Sequence, residues 1–209
     1  MKKYLEIIEI FYSIQGETSS VGKPAVFVRL SGCNLNCSWC DTVYARSGGK
    51  KTGIDDIIYE IEKYKCPLVI ITGGEPLLQS GAVDLIKTLS DKEYQVILET
   101  NGSVDISAVP DKVCIILDIK APSSGETEKM ILDNIGMLKD SDELKFVIKN
   151  REDFSWSLEI LKKYDNSEHE ILFSPVEGEM TFKELAQWVK EEMPAARVQT
   201  NIHKIFKIE

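Results

Sequence analysis

The chain has 209 residues, 43% of them hydrophobic and 28% charged, enough to bury an apolar core as one domain without disulfide staples. Its 25 basic against 34 acidic residues give a net charge of −9, which disfavours a nucleic-acid surface, because phosphate binding needs clustered Lys and Arg. No apolar run reaches transmembrane length, and Met1-Lys2-Lys3-Tyr4-Leu5-Glu6 lacks the apolar stretch of a signal peptide. The expectation is a cytoplasmic chain, off the membrane, with a single domain over residues 1–209 and a small molecule or a protein as substrate.

Residues 5–13, rich in Ile, Phe and Tyr, predict a strand that Gln15-Gly16-Glu17-Thr18 ends. Residues 25–30 predict a second strand that runs into a cysteine loop. Residues 48–53 read as an exposed, flexible connection, and residues 55–61 as a helix with acids in its first turn. Strand and helix then alternate. Strands are predicted at 68–71, 95–98, 113–119, 144–148 and 171–173, helices at 83–89, 130–138, 154–164 and 182–191, and a last short strand at 197–199. Continuous apolar runs such as Leu68-Val69-Ile70-Ile71 and Cys114-Ile115-Ile116-Leu117 indicate parallel strands covered on both faces. About six such strands are too few for a closed eight-fold barrel, so the expected fold class is α/β, a shortened, open partial (β/α) barrel.

In such a barrel the site gathers at the carboxyl ends of the strands. Applied strand by strand, that rule selects Gln15-Gly16-Glu17, Arg29, Thr72-Gly73-Gly74-Glu75-Pro76, Glu99-Thr100-Asn101-Gly102, Asp118-Ile119-Lys120, Lys145, Ser174-Pro175, and Thr200 with His203. Nearly all are polar residues directly after apolar runs. The pair Gly73-Gly74 lets backbone approach a ligand closely.

Cys33, Cys37 and Cys40, three of the five cysteines, fall within eight residues. Thiolates this crowded bind a metal centre, and a [4Fe-4S] cluster held by three cysteines keeps one iron open for a ligand that is not protein. The alternative is a zinc-stabilised, non-enzymatic binding module. Zinc would need a fourth protein ligand, for which Cys66, Cys114, His169 and His203 are the candidates. A disulfide is disfavoured by the odd cysteine count.

Cys33-x3-Cys37-x2-Cys40 followed by Gly73-Gly74-Glu75-Pro76 resembles the radical S-adenosylmethionine (SAM) superfamily. Within it, residues 15–17, 22–35, 39–42 and 99–103, with His203-Lys204, resemble the 7-carboxy-7-deazaguanine synthase family. The resemblance implies a carbon-nitrogen lyase that contracts the ring of 6-carboxy-5,6,7,8-tetrahydropterin to 7-carboxy-7-deazaguanine with loss of ammonia, in queuosine-type 7-deazapurine biosynthesis. The implied cofactors are a [4Fe-4S] cluster, SAM and Mg2+. By the same resemblance Cys33, Cys37 and Cys40 hold the cluster and Thr42 the Mg2+. Ile14, Gln15, Gly16, Glu17, Arg29, Thr72, His203 and Glu209 face the substrate. Trp39, Cys40, Asp41, Gly74, Glu99, Asn101, Asp118, Lys120, Ser174 and Glu177 face SAM. Two residues separate Thr200 from His203 where the family pair adjoins. A flavodoxin or ferredoxin electron donor and a homodimer are implied as well. A radical activating enzyme acting on a partner protein shares the cysteine spacing and Asp118-Ile119-Lys120, but would call for a broad docking face instead of a small pocket.

Overall fold

A computed structural model describes residues 3–164 and 169–208; the predicted substrate residue Glu209 lies outside them. The described residues form one sheet of nine strands: β1 (Tyr4–Ile14), β2 (Pro24–Leu30), β3 (Lys50–Gly53), β4 (Leu68–Gly73), β5 (Gln95–Thr100), β6 (Cys114–Ile119), β7 (Glu143–Ile148), β8 (Glu170–Pro175) and β9 (Arg197–Val198). Their order is β3-β1-β2-β4-β5-β6-β7-β8-β9. β2 and β4 to β9 are parallel throughout, and the sheet ends at β3 and β9 without closing. The result is the expected open, partial barrel.

The helices α1 (Ile54–Glu62), α2 (Ala82–Asp91), α3 (Arg151–Tyr164) and α4 (Phe182–Glu192) cover the convex face, and a short α5 (Ile202–Phe206) follows β9. Each long helix turns an apolar stripe at three- and four-residue spacing to the sheet: Ile57, Ile58 and Ile61 on α1, Leu85, Ile86 and Leu89 on α2. Acids Asp55 and Asp56 in the first turn of α1 meet its positive dipole end. Thr181 caps α4 by accepting a hydrogen bond from the Glu184 N–H. Val69, Ile70 and Ile71 are completely buried, as a covered parallel strand requires. Under α3 and α4, Phe146, Phe154 and Phe173 are fully buried, with ring centroids 5.1 to 5.7 Å apart for the pairs Phe154–Phe173 and Phe146–Phe173. Burying each such ring contributes about 1.5–3 kcal/mol.

Four expectations are corrected. β1 runs antiparallel to β2, so its carboxyl end lies beside the start of β2 (Ile14 opposite Pro24), at the opposite end of the sheet from where the parallel strands finish. Residues 50–53 are strand β3, paired with the exposed edge of β1, instead of a flexible connection. The helix expected over 130–138 is a 3-10 run, Leu132–Met137, because the buried Asn134 side chain spends its amide on the carbonyls of Gly102 and Val104 and anchors the segment to that loop. Gly136 weakens helix propagation there further. The last strand is two residues long, Arg197–Val198.

Candidate active site

Inside the partial barrel lies a cavity of about 890 Å³. Every described residue that the family resemblance assigns to cluster, Mg2+, SAM or substrate lines it, from Ile14 to His203, whereas Glu75, Pro76, Gly102 and Ile119 of the strand-end selection do not. The elements deliver them from three directions.

From above comes the cysteine loop after β2. Cys33, Cys37 and Cys40 are half-buried free thiols. The loop is pinned on both sides: the Ser38 N–H donates to the Ser124 carbonyl (3.1 Å), and Arg46 donates to the Asn36 side chain and the Cys37 carbonyl. Gly74, at the end of β4, presses against this loop. A Cβ there would stand 2.3 Å from the Gly32 oxygen and 2.7 Å from Cys33 Cβ, so only glycine fits. Glu75 fixes the same turn. Its carboxylate is fully buried and accepts from the Leu77 and Asn101 N–H groups and the Thr100 hydroxyl. Burial pushes the Glu75 carboxyl up, against the pull of those donors. Asn101 Nδ2 donates to Cys33 Sγ at 3.8 Å. Burial also pushes the Cys37 thiol up, opposed by the nearby Lys120 charge, so a metal must displace its proton.

From below comes the loop of residues 15–23. Because β1 is antiparallel, this loop reaches the cavity by folding up into the barrel, where Gln15, Gly16 and Thr18 are buried as a floor. Gln15 Nε2 donates to Glu99 Oε1 (3.0 Å), Lys145 Nζ donates to Glu17 Oε2, and the Thr18 N–H donates to Gln199 Oε1 (2.7 Å). Glu99 thus lines the cavity while paired with Gln15 of the floor loop. Ser174 accepts from Gln199 Nε2.

The inner faces of β2 and β4 to β7 supply the walls. Arg29 stands beside Thr72 in register. Its Nε donates to Glu9 Oε1 at 2.7 Å, and its guanidinium lies over the rings of Phe11 and Tyr44. Arg29 is thus ion-paired through Nε, and among the described residues no hydrogen bond engages its two terminal nitrogens, which could fork onto a ligand. Asp118 and Lys145 face each other in register on β6 and β7. Lys145 Nζ is 3.4 Å from Asp118 Oδ2, and Lys120 Nζ is 3.1 Å from Asp118 Oδ1. Burial disfavours the charge on each, yet the mutual pairing holds Asp118 below the usual carboxylate range and both lysines above theirs.

On the open side of the sheet, α5 bridges to the floor loop that follows β1. The Ile202 N–H donates to the Gly16 carbonyl (3.1 Å), and Lys204 pairs with Asp41 at 2.6 Å, beside Cys40. His203 lies directly on Gly16. Glu177 stands 3.8 Å from Lys204 at the rim. Thr42 Oγ1 is 3.9 Å from Cys40 Sγ and caps no helix with its side chain. Lys145 lines the cavity beyond the predicted binding set, and Gln199 braces it from outside through Thr18 and Ser174. Lys145 was visible as the one cation inside the apolar run Leu144-Lys145-Phe146-Val147-Ile148.

The donor set fits an iron-sulfur cluster better than zinc. Cys66 and Cys114 donate to backbone carbonyls outside the cavity, and His169 Nδ1 meets the Lys139 carbonyl. No group of three His, Cys, Asp or Glu among the described residues is close enough to hold a single ion, as a zinc site would need. His203 lines the same cavity but forms no such group with the thiols, and three thiols on one loop match a cluster with one open iron.

The radical SAM superfamily model matches residues 27–189. A 7-carboxy-7-deazaguanine synthase from Chlorobaculum tepidum is 39% identical over 96% of this chain and 93% of its own length. The chain belongs to the 7-carboxy-7-deazaguanine synthase family. A second relative of that name, from Koribacter versatilis, is 37% identical over 97% of this chain and 96% of its own. In fold, QueE from Escherichia coli superposes with a TM-score of 0.79 at 20% identity, covering 94% of this chain and 93% of that one. As a radical SAM family, 7-carboxy-7-deazaguanine synthases use a [4Fe-4S] cluster and SAM, which the three thiols and the Gly74 contact suit.

Proposed function

We propose that this chain is a radical SAM lyase that converts 6-carboxy-5,6,7,8-tetrahydropterin to 7-carboxy-7-deazaguanine with release of ammonia, in 7-deazapurine biosynthesis. One observation carries the reading. A single chamber of about 890 Å³ joins three cluster-binding thiols to an arginine and a carboxylate suited to a carboxylated pterin. Its size is within the range of small-molecule sites, far from the broad face that a protein substrate would call for.

Cys33, Cys37 and Cys40 hold the cluster, and Gly74 and Asn101 pack against its loop. SAM lies between that loop and the inner wall, within reach of Trp39, Cys40, Asp41, Gly74, Asn101, Asp118, Lys120, Ser174, Glu177 and, through its pairing with Gln15, Glu99. Given one electron from a reductant, the bound cluster and SAM would supply radical chemistry for hydrogen abstraction from the substrate. The chain's share is placement. Arg29 forks its free nitrogens onto the pterin carboxylate, Glu17 accepts from the donor-rich pterin edge, and Ile14, Gln15, Gly16, Thr72 and His203 complete the pocket. Thr42 supplies a hydroxyl to Mg2+, a hard cation that draws its other ligands from substrate and water. The apolar core and the floor loop exclude bulk water.

The chain works as a single domain, as a homodimer in the cytoplasm, with flavodoxin or ferredoxin as electron donor. The five free thiols support a reducing compartment. Anaerobic incubation with the carboxytetrahydropterin, SAM and a reductant, followed by mass spectrometry, tests the proposal. A deazapurine product supports it. Intact cluster with SAM cleavage and no deazapurine overturns it.

A further inference from the structure

The chamber contains a buried cation that the roles above leave unused. Lys145 projects from the middle of β7, with 14% of its side chain exposed. It donates to Glu17 Oε2 on the floor loop and sits 3.4 Å from Asp118 Oδ2 on β6. Asp118 in turn pairs with Lys120 at 3.1 Å. Two acids and two bases thus form one neutral chain, with Lys145 as the link between a residue on the substrate side and two on the cofactor side.

We propose that Lys145 is a positioning residue for the pterin, which sets the Glu17 carboxylate against the pterin edge and ties it to the strand carrying Asp118. Geometry supports this. Glu17 sits on a loop, and a loop carboxylate in a chamber has many rotamers unless something fixes it. Among the described residues Lys145 is the hydrogen-bond donor that the Glu17 side chain meets. A lysine buried merely to fill space would leave an uncompensated charge, at a cost a Met or Leu of similar volume avoids. Asp118 opposite it in register fixes the ammonium from the far side, so the Glu17 position is dictated by the sheet.

The inference rests on the proposed role of Glu17, and a double-mutant cycle separates the two. Holoenzyme loaded with cluster and SAM is assayed for binding of 6-carboxy-5,6,7,8-tetrahydropterin, in the wild type, Glu17→Gln, Lys145→Met and the double variant. Lys145→Met is expected to weaken pterin binding by about tenfold or more, and to add almost nothing in the Glu17→Gln background, since both act through one carboxylate. Iron content should stay at the wild-type level. Additive losses, or unchanged pterin affinity in Lys145→Met, overturn the inference. Unchanged affinity in Glu17→Gln overturns the role of Glu17 itself. If Lys145→Met takes up no iron, Lys145→Gln replaces it in the cycle. If that also takes up no iron, Lys145 is a folding residue and the inference falls.

Discussion

Gly16 lies directly beneath His203: a Cβ on the glycine would sit 2.0 Å from the imidazole Nδ1 and 3.0 Å from the histidine Cβ. The contact joins the floor loop to the C-terminal helix, so a methyl group here acts on α5 and leaves the sheet alone. Gly16→Ala is expected to displace His203 and raise the KM for the pterin about tenfold, with iron content unchanged. Anaerobic steady-state kinetics beside iron analysis provide the check. An unchanged KM would mean that α5 does not shape the pocket.

Arg29 should separate substrate binding from cofactor chemistry. Arg29→Ala removes the fork and is expected to weaken pterin binding by about 10- to 100-fold, roughly 1.4–2.7 kcal/mol. SAM cleavage without substrate turnover should persist. Arg29→Lys keeps a charge but loses the two-point contact, and should recover only part of the loss. If affinity is unchanged in Arg29→Ala, the residue serves only its pair with Glu9.

The cluster assignment predicts about four irons per chain in anaerobically prepared protein. Cys37→Ala should lower iron to background and abolish SAM cleavage. Chelation of the wild type should do the same, while the apolar core keeps the fold. Zinc in place of iron would contradict the assignment.

Glu75 is a buried carboxyl whose proton affinity burial has raised, so its effect on stability has a definite sign. Its contribution is fully present below the unfolded carboxyl value of about 4.3 and is lost as the pH rises through the elevated native value. The stability advantage of the wild-type apoprotein over Glu75→Gln should therefore be largest at acid pH and decline toward neutrality. Glu75→Gln also sets an amide N–H against the N–H donors of Leu77 and Asn101, for a loss of about 1–3 kcal/mol. Denaturant unfolding across the acid range measures both, and a difference that grows with pH would refute the assignment.

Much of the molecule was legible because its signals are local. The apolar runs of β4, β5 and β6, the thiol spacing of Cys33, Cys37 and Cys40, and the Gly73-Gly74 pair each carry their own chemistry. What escaped depends on partners distant in sequence. Lys50-Lys51-Thr52-Gly53 has no strand signature and becomes one only because the edge of β1 offers it hydrogen bonds. The direction of β1 is likewise a property of its pairing, which is why a rule about carboxyl ends found Gln15 and Glu17 for the wrong topological reason. Lys145 was selected at the end of its strand, but its pairing with Asp118 needed the register of β6 and β7.

The side of the barrel that has no strand is held by the Thr18–Gln199 and Gly16–Ile202 hydrogen bonds and the Lys204–Asp41 pair. Each such contact is worth on the order of 1 kcal/mol, a small fraction of what unfolding the domain requires. None of the three belongs to a strand ladder, so parting α5 from the floor loop would leave every strand pairing of the sheet in place.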